Sequence, residues 1–367
     1  MTPYSALLGL RDPDRSSLNL SPAADADLFV DIDGLASQVR DWLGVGAPKG
    51  AVYGTYGTGK SHLLQYVART LAPDRRFRSV YVELTGFGRK ATFFDVHLRV
   101  MNVLLPVLEQ LAKHREARRW LAASNLASDD VKRAVTNLGD PALSPTALAT
   151  TRAWILGTGP TPTQARKEGF TGRLFERSSA VDLVKIWQLC AELQRSSDSQ
   201  GLLLLIDEGE GFQKVVHPES LATLGAGVRS VLDADNQSLG CIFALNLPET
   251  RDHPFLRSDV VSRLTGKILN LEPLGSPERV ERFTTALWGV LSTKPRLLTP
   301  EAMSQLARRL AAMRNAISFD KRSALTPTQR DLLQVLSFIT AQALREQRPP
   351  PYSLDDLKRW IPGGFAA

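Results

Sequence analysis

The sequence predicts an α/β fold, in which a parallel five-stranded sheet carries helices on both faces and a helical domain follows it. Several short segments are apolar at consecutive positions, which is typical of parallel strands covered on both faces. Segments with helical periodicity alternate with them, as in a parallel sheet built from β/α units. From Ser276 onward only helical patterns remain. The candidate strands are residues 51–54, 79–84, 202–207, 241–247 and 267–271.

The 367 residues divide into three predicted parts. Residues 1–27 are rich in Pro, Ser and Asp without sustained periodicity, which favours an extended arm. Residues 28–275 predict the α/β core, with a mostly helical insertion at about 115–180, because that stretch holds no strand candidate. Residues 276–367 predict a helical lid domain. Its expected helix starts are Thr299 before Pro300, Thr326 before Pro327, and Ser353 three residues before Asp356.

Composition leaves the nature of the partners open. A net charge of +7 would attract polyanions, and nucleic acid is the obvious candidate. Charges spread evenly over solvated faces would give the same total. No stretch approaches the roughly 20 apolar residues that span a bilayer, and the N-terminus lacks a basic start followed by an apolar run, so we expect a cytoplasmic protein without a membrane partner. Cys190 and Cys241 lie in apolar stretches and are expected to be core thiols.

Residues 54–61 read Gly-Thr-Tyr-Gly-Thr-Gly-Lys-Ser and fit the pattern GxxxxGK[ST] between a strand and a helix. In this pattern the glycines let backbone N–H groups wrap around a β-phosphate. Lys60 would reach the β- and γ-phosphates, and the Ser61 hydroxyl would ligate Mg²⁺. The sequence therefore predicts binding of ATP with Mg²⁺. The expected nucleotide contacts are Gly54, Thr55, Tyr56, Gly57, Thr58, Gly59, Lys60, Ser61 and His62.

A second pattern lies at residues 202–208, where an apolar strand ends in two carboxylates. Asp207 would hold Mg²⁺ through water, and Glu208 would orient and polarise the attacking water, so the pair predicts hydrolysis as well as binding. Glu210 is a less suitable base, because the turn at Gly209 aims it elsewhere. The alternative is a buried strand that leaves the core at two solvated acids.

Further segments resemble AAA+ ATPases. The resemblance implies that Asn246, at the end of a strand, contacts the γ-phosphate or the lytic water as a sensor 1 residue; the alternative is a strand-end cap. Residues 254–278 resemble the stretch that donates an arginine finger to a neighbouring subunit, which implies Arg263 in that role, with Arg257 in reserve. A surface arginine on a helix is the alternative. Residues 326–339 resemble the sensor 2 helix, which implies that Arg330 senses the nucleotide.

The order of these elements is similar to that of the Orc/Cdc6-like initiator and clamp-loader branch. Two features depart from that branch: no winged-helix domain is evident after the lid, and the insertion is long. A narrower resemblance is to the ATP-binding proteins of BREX-type phage-exclusion systems, which are encoded beside helicases and DNA-modifying proteins. It rests on residues 53–64, 154–169 and 205–212.

Two functions are expected. One is a homo-oligomeric ATPase that acts on or beside double-stranded DNA and assembles or remodels a complex there, in phage defence on the narrower resemblance. The other is a slow ATP-dependent switch or scaffold that recruits a helicase or nuclease. A two-core helicase motor is disfavoured because one glycine-rich core is evident, and a small-molecule kinase has no need of Glu208 and Arg263 as placed here.

Overall fold

A computed structural model gives the fold. It describes residues 1–125, 128–172, 174, 180–195, 199–207, 209–234, 237–246, 260, 262–264, 267–312 and 326–361. Contacts divide the chain into two compact units. The sheet unit comprises Ser37–Tyr53 and Val67–Leu269, and the helical unit comprises Met1–Ala36, Gly54–Tyr66 and Asn270–Ala367.

The sheet has five strands in the order β2-β3-β4-β1-β5. The pairs β1–β4, β2–β3 and β3–β4 are all parallel. Every predicted strand is confirmed, with small shifts at the ends. The strands are β1 Lys49–Gly54, β2 Phe77–Glu83, β3 Gly201–Asp207, β4 Leu239–Leu245 and β5 Ile268–Leu271.

Both faces of the sheet are covered, which explains why every residue of β3 and β4 is buried. Leu204 and Phe243 point into one large apolar core that also includes residues of the long helices beside the sheet. On the opposite face, a Cβ atom at Gly50 would lie 2.8 Å from the ring of Trp42. The helix that contains Trp42, residues 35–45, therefore packs directly on β1. The helices and turns from residue 35 to 264 are α2 Leu35–Val45, α3 Lys60–Tyr66, a π-helical turn Val67–Leu71, α4 Ala72–Asp74, α5 Phe93–Ala112, α6 Arg115–Ala123, α7 Asp129–Leu138, α8 Pro145–Leu156, α9 Pro162–Lys167, α10 Ala180–Arg195, a 3₁₀ turn Gly209–Lys214, α11 Pro218–Asp233 and a 3₁₀ turn Ser262–Leu264.

Between about 115 and 180, the described residues contain helices α6 to α9; α6, α7 and α8 contact α5, and α9 contacts α8. Helix α8 ends at Gly157, whose backbone is left-handed (φ +73°) and whose Cβ, if present, would overlap the ring of Phe94. The chain then forms an ordered loop: Trp154 stacks on Phe170 at 4.5 Å and donates from its indole nitrogen to the carbonyl of Gly172 at 2.7 Å.

A histidine is buried in the core of the sheet unit. His97 is fully inaccessible; its Nδ1 accepts a hydrogen bond from the indole of Trp187 at 3.2 Å, and its Nε2 lies 3.1 Å from the carbonyl oxygen of Ile155. The ring is therefore neutral, with its proton on Nε2. Burial lowers the pKa of His97 to about 4. Cys190 and Cys241 are free, buried thiols, as predicted, and burial raises the pKa of Cys190 to about 12.

The helical unit contains the C-terminal helices and the N-terminal segment. Where we expected an extended arm, the first residues form a helix that Thr2 caps and Gly9 ends in a left-handed conformation. Tyr4 and Leu8 of this helix are buried in the same core as the C-terminal helices, and the hydroxyl of Tyr4 bonds that of Thr340 at 2.7 Å. The helix is too short for its periodicity to be evident in the sequence. The unit contains α1 Pro3–Leu8, a 3₁₀ turn Ala26–Leu28, α3 Lys60–Tyr66, α12 Pro277–Leu291, α13 Pro300–Ala312, α14 Gln329–Arg345 and α15 Leu354–Trp360.

One of the three predicted helix starts is wrong. Helix α14 begins two residues after Pro327, because Thr328 and Asp331 form a reciprocal capping box: the Thr328 amide donates to the Asp331 carboxylate at 2.8 Å. The start at Ser353 is confirmed by the same kind of box with Asp356. The start after Thr299 is also confirmed. No helix in the described part of the chain is both long and apolar enough to cross a bilayer.

Candidate nucleotide-binding site

The glycine-rich loop joins β1 to α3 and needs glycine at two positions for its backbone. Gly57 and Gly59 have φ values of +85° and +95°, in the left-handed region where a side chain is strained. Gly54 is needed for space: a Cβ there would lie 2.6 Å from the hydroxyl of Thr58 and 2.9 Å from the carbonyl oxygen of Leu271. The loop is therefore tightly curved, as a backbone that cradles phosphate must be.

Lys60 lies against the inside of this loop. Its ammonium donates to the carbonyl oxygens of Gly54 at 3.1 Å and Thr55 at 3.0 Å, and the residue is only 8% exposed. The Thr58 hydroxyl also donates to the carbonyl of Thr55, at 2.8 Å. A cation is thus held at the loop by groups of the loop itself, which fits a site for an anion such as a phosphate.

The side chain of His62 contacts the segment that precedes α2. Its Nε2 is 2.7 Å from the carbonyl oxygen of Asp25, and its ring meets the edge of Phe29 at a centroid distance of 5.6 Å. Burial lowers the pKa of His62. The side chain of His62 therefore fastens α3 to the segment that precedes α2.

Arg330 lies beside the loop. Its amide donates to the carbonyl of Gly57 at 3.2 Å, and its guanidinium sits over the ring of Tyr56 at 4.3 Å and donates to the Tyr56 hydroxyl. Close packing supports this contact, since a Cβ at Gly57 would lie 2.6 Å from the Thr328 hydroxyl. The start of α14 and the glycine-rich loop are thus in direct contact, and Tyr56 remains 66% exposed.

Asp207 closes β3 as a buried carboxylate, only 2% exposed. It accepts a hydrogen bond from the hydroxyl of Tyr81 on β2. Sequence reasoning missed Tyr81. The register of β2 on β3 explains this hydrogen bond. Tyr81 pairs with Leu205 and Glu83 with Asp207, so the side chains of Tyr81 and Asp207 lie on the same face of the sheet.

The strand order places Asn246 at the edge of the sheet where β3 ends. β4 lies between β3 and β1, with Phe243 paired to Ile206 and Leu245 to Tyr53. Asn246 follows β4 directly and is partly exposed. Because parallel strands end at one edge, Asn246 lies at the edge where β3 ends in Asp207. The predicted base, Glu208, lies outside the described residues.

The predicted arginine finger has a partner within its own chain. Arg263 lies in the 3₁₀ turn before β5, is exposed, and donates to the carboxylate of Asp233 at the end of α11. A role in a neighbouring subunit would require this ion pair to open. The reserve residue, Arg257, lies outside the described residues.

These elements define the class. A parallel sheet of this strand order, with a glycine-rich loop and helix after β1, an acid closing β3 and a helical C-terminal region, is an AAA+-like P-loop NTPase fold. Ser61 and Asp207, the residues predicted to ligate Mg²⁺, each carry a hard oxygen donor of the type that this ion prefers.

No protein-family model matches the chain, and no curated protein matches it. Solved structures of similar fold include the ORC2 protein of Aeropyrum pernix, at 12% identity and a TM-score of 0.48 over 98% of this chain and 73% of that one. Another is Cdc6p from Pyrobaculum aerophilum, at 12% identity and a TM-score of 0.45 over 88% and 67%. A third is domain III of the Thermotoga maritima replication initiation protein DnaA, at 14% identity and a TM-score of 0.40 over 94% and 97%. No residue role in this chain follows from similarity this distant.

Proposed function

We propose that the chain is an ATPase that binds ATP with Mg²⁺ at the glycine-rich loop and hydrolyses it. One observation carries the proposal: the tightly curved, closely packed loop after β1 holds Lys60 against its own carbonyls. A plain surface turn has no need of a buried lysine whose ammonium is held by the turn's own carbonyls.

Each residue has a proposed task. The backbone of the loop and the ammonium of Lys60 hold the phosphates, and the Ser61 hydroxyl with the Asp207 carboxylate holds the metal ion. Mg²⁺, when bound, neutralises charge on the phosphate oxygens. Glu208 polarises the attacking water, and Asn246 orients it. Arg330 leaves Tyr56 to meet the γ-phosphate, and Arg263 completes the site of a neighbouring subunit.

We propose further that this ATPase acts on or beside double-stranded DNA as a homo-oligomer. Helix α6 supports this: Ala117 and Leu121 are buried, whereas Arg115, Arg118 and Arg119 are exposed. Spacings of three and four residues place these arginines on one helix face, where they can contact backbone phosphates. Assembly or remodelling of a complex in phage defence, with a helicase or nuclease partner, is the narrower proposal and rests on the resemblance of residues 53–64, 154–169 and 205–212.

A slow ATP-dependent switch is the second candidate. The contact of α14 with the loop, through the Arg330 amide and Gly57, favours it, because nucleotide entering the loop would alter the position of that helix. A switch would hydrolyse ATP slowly and respond to a protein partner instead of DNA.

The test is the rate of ATP turnover by the full chain at low salt, with and without double-stranded DNA. We expect DNA to stimulate the wild type, Glu208→Gln to lose about 100-fold in rate, and the triple change of Arg115, Arg118 and Arg119 to Gln to keep the basal rate but lose the stimulation. Lys185→Gln, an exposed change on α10, is the matched control. Turnover that ignores DNA refutes the DNA-acting function and favours the switch. Absence of turnover refutes both.

A further inference from the structure

A tyrosine of β2 and the carboxylate that ends β3 form a hydrogen-bonded pair. The hydroxyl of Tyr81 donates to Oδ2 of Asp207. Asp207 is only 2% exposed, whereas Tyr81 is partly exposed. A carboxylate out of water is costly unless hydrogen bonds satisfy it. The hydroxyl of Tyr81 therefore compensates for part of the cost of burying Asp207.

The register of the two strands directs this tyrosine along the sheet. Tyr81 pairs with Leu205, which precedes Asp207 by two residues, and side chains two residues apart in a strand lie on the same face. The opposite face of β2 carries Val80 and Val82, which belong to the large apolar core of the sheet unit. The side chain of Tyr81 therefore points away from that core and reaches toward the carboxyl end of β3.

The same face of β2 packs against the chain that follows α3. Ser79 precedes Tyr81 by two residues, and its hydroxyl donates to the carbonyl oxygen of Ala68 at 2.9 Å. Ala68 lies in the π-helical turn that continues α3, the helix that begins at Lys60. Tyr81 and Asp207 thus share the face of the sheet on which the continuation of this helix lies.

We propose that Tyr81 is a positioning residue for the metal ion, because its hydroxyl fixes the Asp207 carboxylate in the orientation that holds Mg²⁺. A carboxylate has two oxygen atoms with about four lone-pair positions, so Asp207 can accept from Tyr81 and still face a metal ion or its bound water. Hydrogen-bonded partners orient metal-binding carboxylates, and their loss typically lowers metal affinity about 10- to 100-fold. This inference rests on the proposed function, since it takes Asp207 as a residue that holds Mg²⁺.

The test is the affinity of the full chain for a non-hydrolysable ATP analogue, measured by calorimetric titration in EDTA and over a series of Mg²⁺ concentrations. The quantity compared is the Mg²⁺ concentration that gives half of the metal-dependent gain in affinity. Tyr81→Phe keeps the ring and removes the donor. We expect it to raise this concentration about tenfold or more and to leave the affinity in EDTA unchanged. A purely structural role would lower thermal stability without changing the Mg²⁺ requirement.

Tyr4→Phe is the matched control, because it removes the hydroxyl of a buried tyrosine that bonds Thr340 in the helical unit. It is expected to keep the Mg²⁺ requirement of the wild type. In an Asp207→Ala background, Tyr81→Phe is expected to have no additional effect, since Tyr81 acts through Asp207.

Equal Mg²⁺ requirements of the wild type and Tyr81→Phe would overturn this inference alone. A full effect of Tyr81→Phe in the Asp207→Ala background would do the same, because Tyr81 would then act without that carboxylate. A wild type that binds no nucleotide would overturn the proposed function together with this inference.

Discussion

Arg330 is fixed beside the glycine-rich loop by its side chain and its backbone. The guanidinium rests on the ring of Tyr56, and the amide donates to Gly57. The contact with Tyr56 uses the guanidinium, which is the group that would meet a γ-phosphate. The contact with Gly57 uses the backbone amide and leaves the guanidinium free to move. If Arg330 has its proposed role, Tyr56 competes with a nucleotide for this guanidinium.

This competition predicts that Tyr56→Ala binds ATP more tightly. A cation–π contact at an exposed site contributes about 0.5–1 kcal/mol, so its removal is expected to lower the dissociation constant of ATP about two- to fivefold. Arg330→Ala is expected to raise that constant. Tyr56→Phe, which keeps the ring and removes the hydroxyl, serves as the intermediate control. Calorimetric titration with ATP checks the order, and weaker binding by Tyr56→Ala than by the wild type would show that Tyr56 supports the nucleotide directly.

The buried ring of His97 predicts acid sensitivity of the sheet unit. Its pKa is about 4 when folded and near 6.5 when exposed, so the unfolded chain binds the proton more readily. The stabilisation is fully present above pH 6.5 and is lost as the pH falls toward 4, by a total on the order of 3 kcal/mol. Urea unfolding between pH 7 and pH 4.5 is expected to show this loss, and His97→Gln to reduce it.

The partly exposed His217 provides the matched control variant, His217→Gln, which replaces a histidine that is not buried in the core. An equal slope of unfolding free energy against pH in wild type and His97→Gln would contradict the assignment to His97.

At the level of elements, two helices start in the same way but differ in position. Thr328 with Asp331 begins α14, and Ser353 with Asp356 begins α15, each by a reciprocal capping box. Only the first box touches the glycine-rich loop, through the close approach of Thr328 to Gly57. A comparison of variants at the two caps therefore distinguishes an effect on helix stability from an effect on nucleotide binding.

We predict that Thr328→Ala and Ser353→Ala each lower the free energy of unfolding by about 1 kcal/mol. Thr328→Ala alone is expected to weaken ATP binding, because it loosens the turn that presents Arg330. Thermal unfolding and ATP titration of both variants check this. Equal ATP affinities would mean that the start of α14 plays no part in the site.

The elements that local pattern determines were predictable from the sequence. Short apolar segments, several of them apolar at consecutive positions, identified all five strands, and the spacing from Gly54 to Ser61 identified the loop. Tyr81 was missed because its bond to Asp207 depends on the register of two strands far apart in sequence. Helix α14 was placed two residues early because proline at 327 is also a common first helical residue, and the reciprocal bonds of the cap decided between the two starts.

At the level of the whole molecule, Arg263 is the residue proposed to act on a neighbouring subunit. Its ion pair with Asp233 occupies it within one chain. Both side chains are exposed, and pairs of this kind contribute little stability, so opening the pair for a neighbour costs little. The ion pair is therefore compatible with an arginine finger that leaves Asp233 when subunits assemble.

This predicts complementation between two inactive variants. Arg263→Ala keeps its own Glu208 but lacks the finger, and Glu208→Gln keeps the finger. When the two are mixed, a subunit with an intact base can meet an intact finger, so ATP turnover is expected to exceed the average of the separate variants. Asp233→Asn is expected to retain turnover. A mixture whose rate equals that average would contradict a finger supplied by a neighbour.

The central claim is that the loop around Lys60 binds ATP for hydrolysis, and ATP turnover by the purified full chain tests it most directly. The comparison is between wild type, Lys60→Ala and Lys113→Ala, the last being an exposed lysine between α5 and α6. We predict Mg²⁺-dependent turnover by the wild type and Lys113→Ala, and loss of about 100-fold or more by Lys60→Ala. Equal turnover by wild type and Lys60→Ala would contradict the claim.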